Sequence, residues 1–217
     1  MNQNKISKIY EILSTTYQTF DQTDDEWMTN GLSSTPFKSL VSVALSTMTT
    51  SKRTINACKA LYPKVASFEE LMNIDEAELV QLIKPVAHYN RKAKNLKKMS
   101  RQIIEDRNGE IPRTAEELMS LAGIGRKCTD IMLNFVFDEP TIAVDTHVHR
   151  LVNRLGMVNA TSAEETANVL SKITPKEYKK HAHEWLIQHG MNICKARVPK
   201  CQECTLVDLC GYDRKKL

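Results

Sequence analysis

The chain has 217 residues, 41% hydrophobic and 26% charged, with few glycines and prolines, which excludes a disordered or fibrous protein and allows two small domains. The net charge of +4 and the pI of about 8.7 permit a polyanionic partner without requiring one. A signal sequence and a run of about 18 apolar residues are both lacking, so we expect an intracellular protein, cytoplasmic if bacterial, with no membrane partner.

Apolar residues recur at helical spacing along most of the chain, beginning with Ile6, Ile9, Tyr10 and Leu13. Strand-like alternation is lacking, so the sequence predicts an all-α protein of roughly ten short helices. A capping residue followed three positions later by glutamate marks a helix start. The pattern occurs at Ser67/Glu70, Asp75/Glu78, Thr114/Glu117, Ser162/Glu165 and Thr174/Glu177.

A Gly-x-Gly turn at Gly123 and Gly125 joins the helix predicted after Thr114 to an apolar helical segment that ends at Phe137. Such a turn, with the N-terminus of the next helix, suits one phosphate, although it is also common as a plain turn. Lys127 lies at the start of the second helix, where the helix dipole and partial burial favour a neutral, nucleophilic amine. A solvated surface lysine is the alternative.

Asp145 follows an apolar segment and opens a new helix. Its carboxylate is a candidate helix cap, and it lies eighteen positions after Lys127. A break between two structural units is predicted just before this segment, near Asp138-Glu139-Pro140, where a helix meets a proline.

Four of the six cysteines lie near the C-terminus, separated by six, two and five residues: Cys194, Cys201, Cys204 and Cys210. Zinc sites usually have two close pairs, whereas this pattern has one close pair flanked by single cysteines, which favours a [4Fe–4S] cluster. Between the first two lie three basic residues, Lys195, Arg197 and Lys200. They could contact phosphates, offset the charge of the thiolates, or do both.

Three segments together resemble the endonuclease III family of helix–hairpin–helix DNA glycosylases: LAGIGRKCTD (121–130), TIAVDTHVHR (141–150) and CKARVPKCQECTLVDLC (194–210). The resemblance implies an all-α, bilobal fold. A six-helix barrel lobe would cover 29–139 and contain the hairpin motif at about 114–137. The second lobe would combine 1–28 with 140–217 and hold the cluster loop, 194–210. DNA would bind in the cleft between the lobes, with Lys127 and Asp145 on opposite sides.

The resemblance also implies a base excision repair enzyme that removes damaged, oxidised pyrimidines from duplex DNA and cleaves at abasic sites. Lys127 would attack C1′ of an extruded nucleotide and form a Schiff base, and Asp145 would assist. The implied DNA contacts come from Gly123, Gly125, Arg126, Met48, His88 and the basic loop. The implied partner is duplex DNA with a damaged base or an abasic site. Nothing in the sequence demands more than a monomer, so we expect one.

The sequence departs from the family pattern at positions that, in the family, contact the DNA around the damaged nucleotide. Met48 stands where the family commonly has glutamine, Ser51 where an acidic residue is common, and His88 where an apolar wedge is usual. Ala122 replaces a proline in the hairpin. Two alternatives therefore stay open: a relative that excises alkylated or mismatched bases, and a non-catalytic iron–sulfur module that binds DNA.

Overall fold

The computed structural model describes residues 2–22 and 26–213, and this part of the chain contains helices and no strand. The all-α prediction is confirmed. The α-helices are α1 (Gln3–Thr16), α2 (Glu26–Thr29), α3 (Pro36–Leu45), α4 (Ser51–Leu61), α5 (Phe68–Asn73), α6 (Glu76–Ile83), α7 (Tyr89–Arg107), α8 (Ala115–Ser120), α9 (Arg126–Phe135), α10 (Thr146–Leu155), α11 (Ala163–Ile173) and α12 (Lys179–Asn192). Short 3₁₀ helices lie at Phe20–Gln22, Lys176–Tyr178, Cys201–Glu203 and Val207–Leu209.

Four of the predicted helix starts are confirmed, because the capping side chain accepts a hydrogen bond from the N–H three residues later: Ser67, Asp75, Thr114 and Ser162. The fifth, at Thr174, is wrong. Thr174 ends α11, and its hydroxyl is hydrogen-bonded to the Tyr10 hydroxyl at 2.9 Å. The hydroxyl is therefore engaged by a distant part of the chain, and a 3₁₀ helix without a side-chain cap among the described residues follows.

The chain divides into two compact units, Asp24–Phe137 and a second unit formed by Met1–Thr23 with Asp138–Leu217. The lobes expected from the sequence, 29–139 and 1–28 with 140–217, have slightly different boundaries and remain a prediction. Their ranges include residues 1, 23–25 and 214–217, which lie outside the described residues. In the described part of the chain, no helix has both the length and the apolarity to cross a membrane.

The unit Asp24–Phe137 is built around α7, which packs on α3, α5 and α6. Its core consists of aliphatic and aromatic residues from all the longer helices of the unit, and α9 closes it with Cys128, Met132 and Leu133. Removing these apolar surfaces from water is the main force that holds the short helices together, since isolated helices of this length are marginal in water.

The second unit has its own core between α1, α10 and α12. Tyr10 is fully buried and stacks on Tyr178, with ring centroids 5.5 Å apart. α10 and α12 approach closely at Gly190, where a Cβ atom would lie 3.0 Å from the carbonyl oxygen of His147. This close approach fixes the start of α10, and therefore Asp145, against the C-terminal end of α12.

Candidate active site and cysteine cluster

The turn between α8 and α9 requires glycine at its first position. Gly123 has a φ of +83°, and an added Cβ would lie 2.9 Å from Nδ2 of Asn95 on α7. Gln102 of the same helix is hydrogen-bonded to both sides of the turn. Its side chain accepts from the N–H of Ala122 at 2.8 Å and donates to the carbonyl oxygen of Ser120 at 3.2 Å. α7 therefore sets the position of the hairpin.

The N-terminus of α9 is open toward solvent. Its N-cap residue is Gly125, and no side chain among the described residues caps the first turn. A Cβ built on Gly125 meets nothing within 4 Å in the same part of the chain. Backbone N–H groups of a first helical turn have no partner within the helix, so this end has both the space and the donors for an anion.

Lys127 is the second residue of α9 and is partly buried. Its neighbour Arg126 donates through Nε to both carboxylate oxygens of Asp130, at 2.8 and 3.1 Å. Burial raises the pKa of Asp130 to about 6, and Arg126 counteracts this by stabilising the carboxylate. Arg126, expected from the resemblance to contact DNA, thus also forms an ion pair within its own helix.

Asp145 caps α10. Its Oδ1 accepts from the backbone N–H groups of His147 and Val148, both at 2.9 Å. The segment before it is buried, and His183 is hydrogen-bonded to the carbonyl oxygen of Ala143 at 2.8 Å. Oδ2 accepts no hydrogen bond from the described residues. One oxygen therefore fixes the carboxyl group while the other remains available.

Two arginines of α10 connect this helix to the cysteine-rich segment. Arg150 donates to the carbonyl oxygens of Gly190 at 2.6 Å and Cys194 at 3.0 Å. Arg154, one helical turn later, donates to the carbonyl oxygens of Lys195 and Ala196, both at 2.8 Å. The start of the cysteine loop is thus held by side chains from the helix that Asp145 caps.

The four C-terminal cysteines are partly buried and line one cavity together with apolar side chains that include Leu151, Leu155 and Val207. Burial, reinforced by the charges of the other three thiolates, raises the pKa of the Cys204 thiol. His189 is buried, and its Nε2 lies 3.4 Å from Sγ of Cys204. Within residues 2–22 and 26–213, no three His, Cys, Asp or Glu side chains are close enough to hold one metal ion.

The basic residues between the first two of these cysteines, Lys195, Arg197 and Lys200, are all exposed. Lys200 forms an ion pair with Glu203 at 2.9 Å. Val198, at the tip of the same loop, is 61% exposed, so the loop presents cations around an apolar side chain. An exposed loop of this kind is suited to phosphate contact.

Met48 and His88 both lie on turns of the unit Asp24–Phe137 and both have left-handed backbones, with φ of 53° and 58°. Met48 is 75% exposed, and His88 is exposed at the N-cap of α7. A left-handed conformation costs a residue with a side chain about 1–2 kcal/mol. Ser51 is exposed at the start of α4.

The candidate residues are divided between the two units. Gly123, Gly125, Arg126 and Lys127 share one turn, in the unit that also carries Met48 and His88, whereas Asp145 and the four cysteines belong to the other unit. The sequence reasoning missed four residues. Lys92 donates a hydrogen bond to the carbonyl oxygen of Thr47, next to Met48, and the other three contact the cysteine-rich segment: Arg150, Arg154 and His189. The spacing of Arg150 and Arg154 on one helix face after Asp145 was the one available signal.

Comparisons with known proteins agree on the family. The sequence profile described as "HhH-GPD superfamily base excision DNA repair protein" matches residues 41–176. Endonuclease III of Haemophilus influenzae is 39% identical over 180 residues, covering 83% of this chain and 85% of the relative. Endonuclease III of Escherichia coli strain K12 is 38% identical over 182 residues, covering 84% and 86%.

A solved structure of a trapped endonuclease III–DNA covalent intermediate, an estranged-adenine complex, is similar with a TM-score of 0.88 and 32% identity. The match covers 97% of this chain and 96% of that one. Similarity at this level over nearly the whole chain extends from the hairpin to the cysteine-rich segment. The protein therefore belongs to the endonuclease III family of the HhH-GPD superfamily of base excision DNA repair proteins.

Proposed function

We propose that the protein excises damaged pyrimidines, oxidised ones above all, from duplex DNA and then cleaves the strand through a Schiff base on Lys127. Its family makes it a DNA glycosylase and AP lyase of base excision repair. The observation that supports a Schiff base on Lys127 is the position of this residue. It lies in the first turn of α9, next to an uncapped helix N-terminus that can hold a phosphate.

DNA is the partner, in agreement with the DNA complexes of the similar endonuclease III structures. The N–H groups at the start of α9 would bind one phosphate, and the exposed loop Lys195–Lys200 would bind others. The start of α9 belongs to the unit Asp24–Phe137, and the loop Lys195–Lys200 belongs to the other unit. Phosphate contacts fix the register of the duplex without reading its sequence.

The amine of Lys127 would attack C1′ of the extruded nucleotide, and the bond from C1′ to the base breaks as the base leaves with its electron pair and takes up a proton. The sugar ring then opens to give an iminium ion between Lys127 and C1′. This iminium makes the C2′ proton acidic, so its removal expels the 3′ phosphate and breaks the strand. Addition of water to the iminium releases the amine.

Asp145 would act through its Oδ2, the oxygen that receives no hydrogen bond from the described residues. Its carboxylate would accept the proton of the attacking amine and stabilise positive charge that develops on the sugar. Because Oδ1 is fixed by two backbone N–H groups, the carboxyl group needs little reorganisation to do this.

The four cysteines would hold a [4Fe–4S] cluster. The donor set fits, since four partly buried thiols line one cavity, with apolar side chains around them. When bound, the cluster supplies cross-links between four points of a segment that has little regular structure. Arg154 lies 3.5 Å from Sγ of Cys194 and His189 lies beside Cys204, so positive and neutral hydrogen-bonding groups border the thiolates.

The test of the function is an excision panel combined with borohydride trapping. Duplexes carry an oxidised pyrimidine, an alkylated base, a mismatched base or an abasic site, each opposite all four bases. We expect excision of oxidised pyrimidines and a covalent protein–DNA adduct. Preferential excision of alkylated or mismatched bases would support the divergent relative instead. Tight DNA binding with neither excision nor trapping would identify a non-catalytic module.

Two substitutions at Asp145 separate its catalytic role from its role as a helix cap. Asparagine caps a helix about as well as aspartate, so Asp145→Asn should keep the stability within about 0.5 kcal/mol and lower excision by about 10²–10⁴-fold. Asp145→Ala should lose the same activity and also about 1 kcal/mol of stability. Single-turnover excision and thermal unfolding measure the two effects. Full activity of Asp145→Asn would exclude a catalytic carboxylate.

A further inference from the structure

Lys92 is a buried lysine on the first turn of α7, with 7% of its surface exposed. Its ammonium group donates to the carbonyl oxygens of Leu45 at 2.8 Å and Thr47 at 2.6 Å. Its backbone N–H donates to the carbonyl oxygen of His88 at 3.0 Å. One residue therefore binds the backbone just before Met48 and the backbone of His88.

A second hydrogen bond joins the same two turns. The N–H of Ala87 donates to Oγ1 of Thr49 at 3.4 Å. Together with Lys92, it connects both neighbours of Met48 to Ala87 and His88. Met48 and His88 share the left-handed backbone, which a residue with a side chain leaves readily unless its surroundings hold it there. The two connections supply that restraint.

The end of α3 explains why a cation lies here. α3 ends at Leu45, and a helix leaves its last carbonyl groups without partners. Ser46 and Thr47 satisfy three of them, those of Ser42, Val43 and Ala44. Lys92 satisfies the carbonyl of Leu45 and that of Thr47 beyond it, at the negative end of the helix dipole.

Packing alone does not explain a lysine at this position. Burial, together with the neighbouring charge of Arg91, lowers the pKa of Lys92 to about 8, and the Cys128 thiolate has a smaller, opposite effect. Keeping an ammonium group out of water costs free energy that an apolar residue of similar length would avoid. The charged ammonium group offsets this cost by its hydrogen bonds to the two carbonyl oxygens, which an apolar side chain could not make.

We propose that Lys92 is a positioning residue that holds Met48 and His88 as one unit, which enters the duplex when the damaged nucleotide is extruded. The role rests on the proposed function. The proposed role of Lys92 concerns extrusion of the nucleotide rather than bond cleavage. Loss of Lys92 should therefore slow the reaction on a damaged base more than the reaction on an abasic site. A base paired in the duplex must be extruded, whereas an abasic site has lost its base and resists extrusion much less.

The test compares Lys92→Met with Lys97→Met as a matched control. Lys97 is on the same helix, and its ammonium also donates to a carbonyl, that of Ile74 between α5 and α6. Single-turnover rates are measured for excision of an oxidised pyrimidine and for strand cleavage at a preformed abasic site. A 2-aminopurine opposite the lesion reports extrusion by its fluorescence.

For Lys92→Met we expect excision and the fluorescence rise to slow by about 10–10²-fold, with cleavage at the abasic site within about twofold of the wild type. For Lys97→Met both rates should stay within about twofold. Lys92→Arg, which keeps a cationic donor, should restore part of the excision rate. In a Met48→Ala, His88→Ala background, Lys92→Met should have little further effect, because the two side chains that it positions are already absent.

Equal loss of both rates in Lys92→Met would indicate a general structural defect and overturn the proposal, as would excision at the wild-type rate. If Lys92→Met does not fold, Thr49→Val, which removes the second connection, must show the same selective loss of excision. Failure of the wild type to excise or trap on any substrate would instead overturn the proposed function.

Discussion

Replacing Lys127 by methionine is expected to abolish borohydride trapping and to lower base excision on the order of 10³-fold or more, because the variant has no amine to attack C1′. The fold should be unaffected. A cation in the first turn of α9 is opposed by the helix dipole, so the free energy of unfolding should stay the same or rise by up to about 1 kcal/mol. Excision, trapping and thermal unfolding are measured on the same preparations.

Lys127→Arg and Lys98→Met are the controls for this prediction. Arginine keeps the positive charge for DNA binding but cannot form the Schiff base, so Lys127→Arg should bind abasic duplex without being trapped. Lys98 is an exposed lysine of α7, and its replacement should change nothing. A Lys127→Met enzyme that still forms the covalent adduct would assign the nucleophile to another residue.

The second large effect is expected from loss of a cluster ligand. Replacing Cys204 by alanine should remove most of the iron and sulfide and destabilise the unit that contains α10 and α12 by more than about 4 kcal/mol. The reason is that Cys204 lies beside His189 of α12, and Cys194 accepts hydrogen bonds from Arg150 and Arg154 of α10. Iron analysis, visible absorbance and thermal unfolding after anaerobic purification measure the effect.

Cys58→Ala is the matched control, since Cys58 is fully buried but belongs to the other unit. It should keep the wild-type iron content and lose about 1–2 kcal/mol, the cost of a small cavity and of the contact between its Sγ and Ser42 Oγ at 3.5 Å. Zinc in place of iron in the anaerobically purified wild type would contradict the iron–sulfur assignment. Unchanged iron in Cys204→Ala would remove Cys204 from the ligand set.

α10 connects Asp145 to the cysteine loop. Asp145 caps this helix at one end, and Arg150 and Arg154 bind the cysteine loop along one of its faces. Damage to the loop should therefore lower catalysis indirectly, by moving the helix that carries Asp145. Through this connection, the proposed cluster would support the reaction although its ligands are remote from Asp145 in the sequence.

Much of the fold and of the candidate site could be predicted from the sequence, because the sequence patterns that indicate them involve residues close together in the chain. Helix caps such as Ser67 and Thr114 act within one turn of the chain, and the glycine turn before Lys127 depends on backbone geometry that neighbouring residues determine. The cysteine spacing is informative for the same reason, since four thiols in a short segment are typical of a metal or cluster site. These local features predicted the helical fold, the hairpin and the cysteine site, whereas the roles of Lys127, Asp145, Met48 and His88 were implied by the resemblance to the endonuclease III family.

Other features depended on residues far apart in the chain. The hydroxyl of Thr174 looked like a helix cap, but the Tyr10 hydroxyl, 164 positions away, engages it. No local pattern distinguishes Lys92 from the other lysines of α7, yet its ammonium reaches the carbonyl of Leu45, 47 positions earlier. Arg154 reaches the carbonyl of Lys195, 41 positions later.

The sequence by itself thus determined which residues could carry the chemistry and the cofactor, whereas the tertiary structure decided which side chains position them. The physical reason is that caps, turns and ligand spacing involve atoms a few residues apart. A side chain that satisfies the end of a distant helix is selected by packing, which has no local pattern.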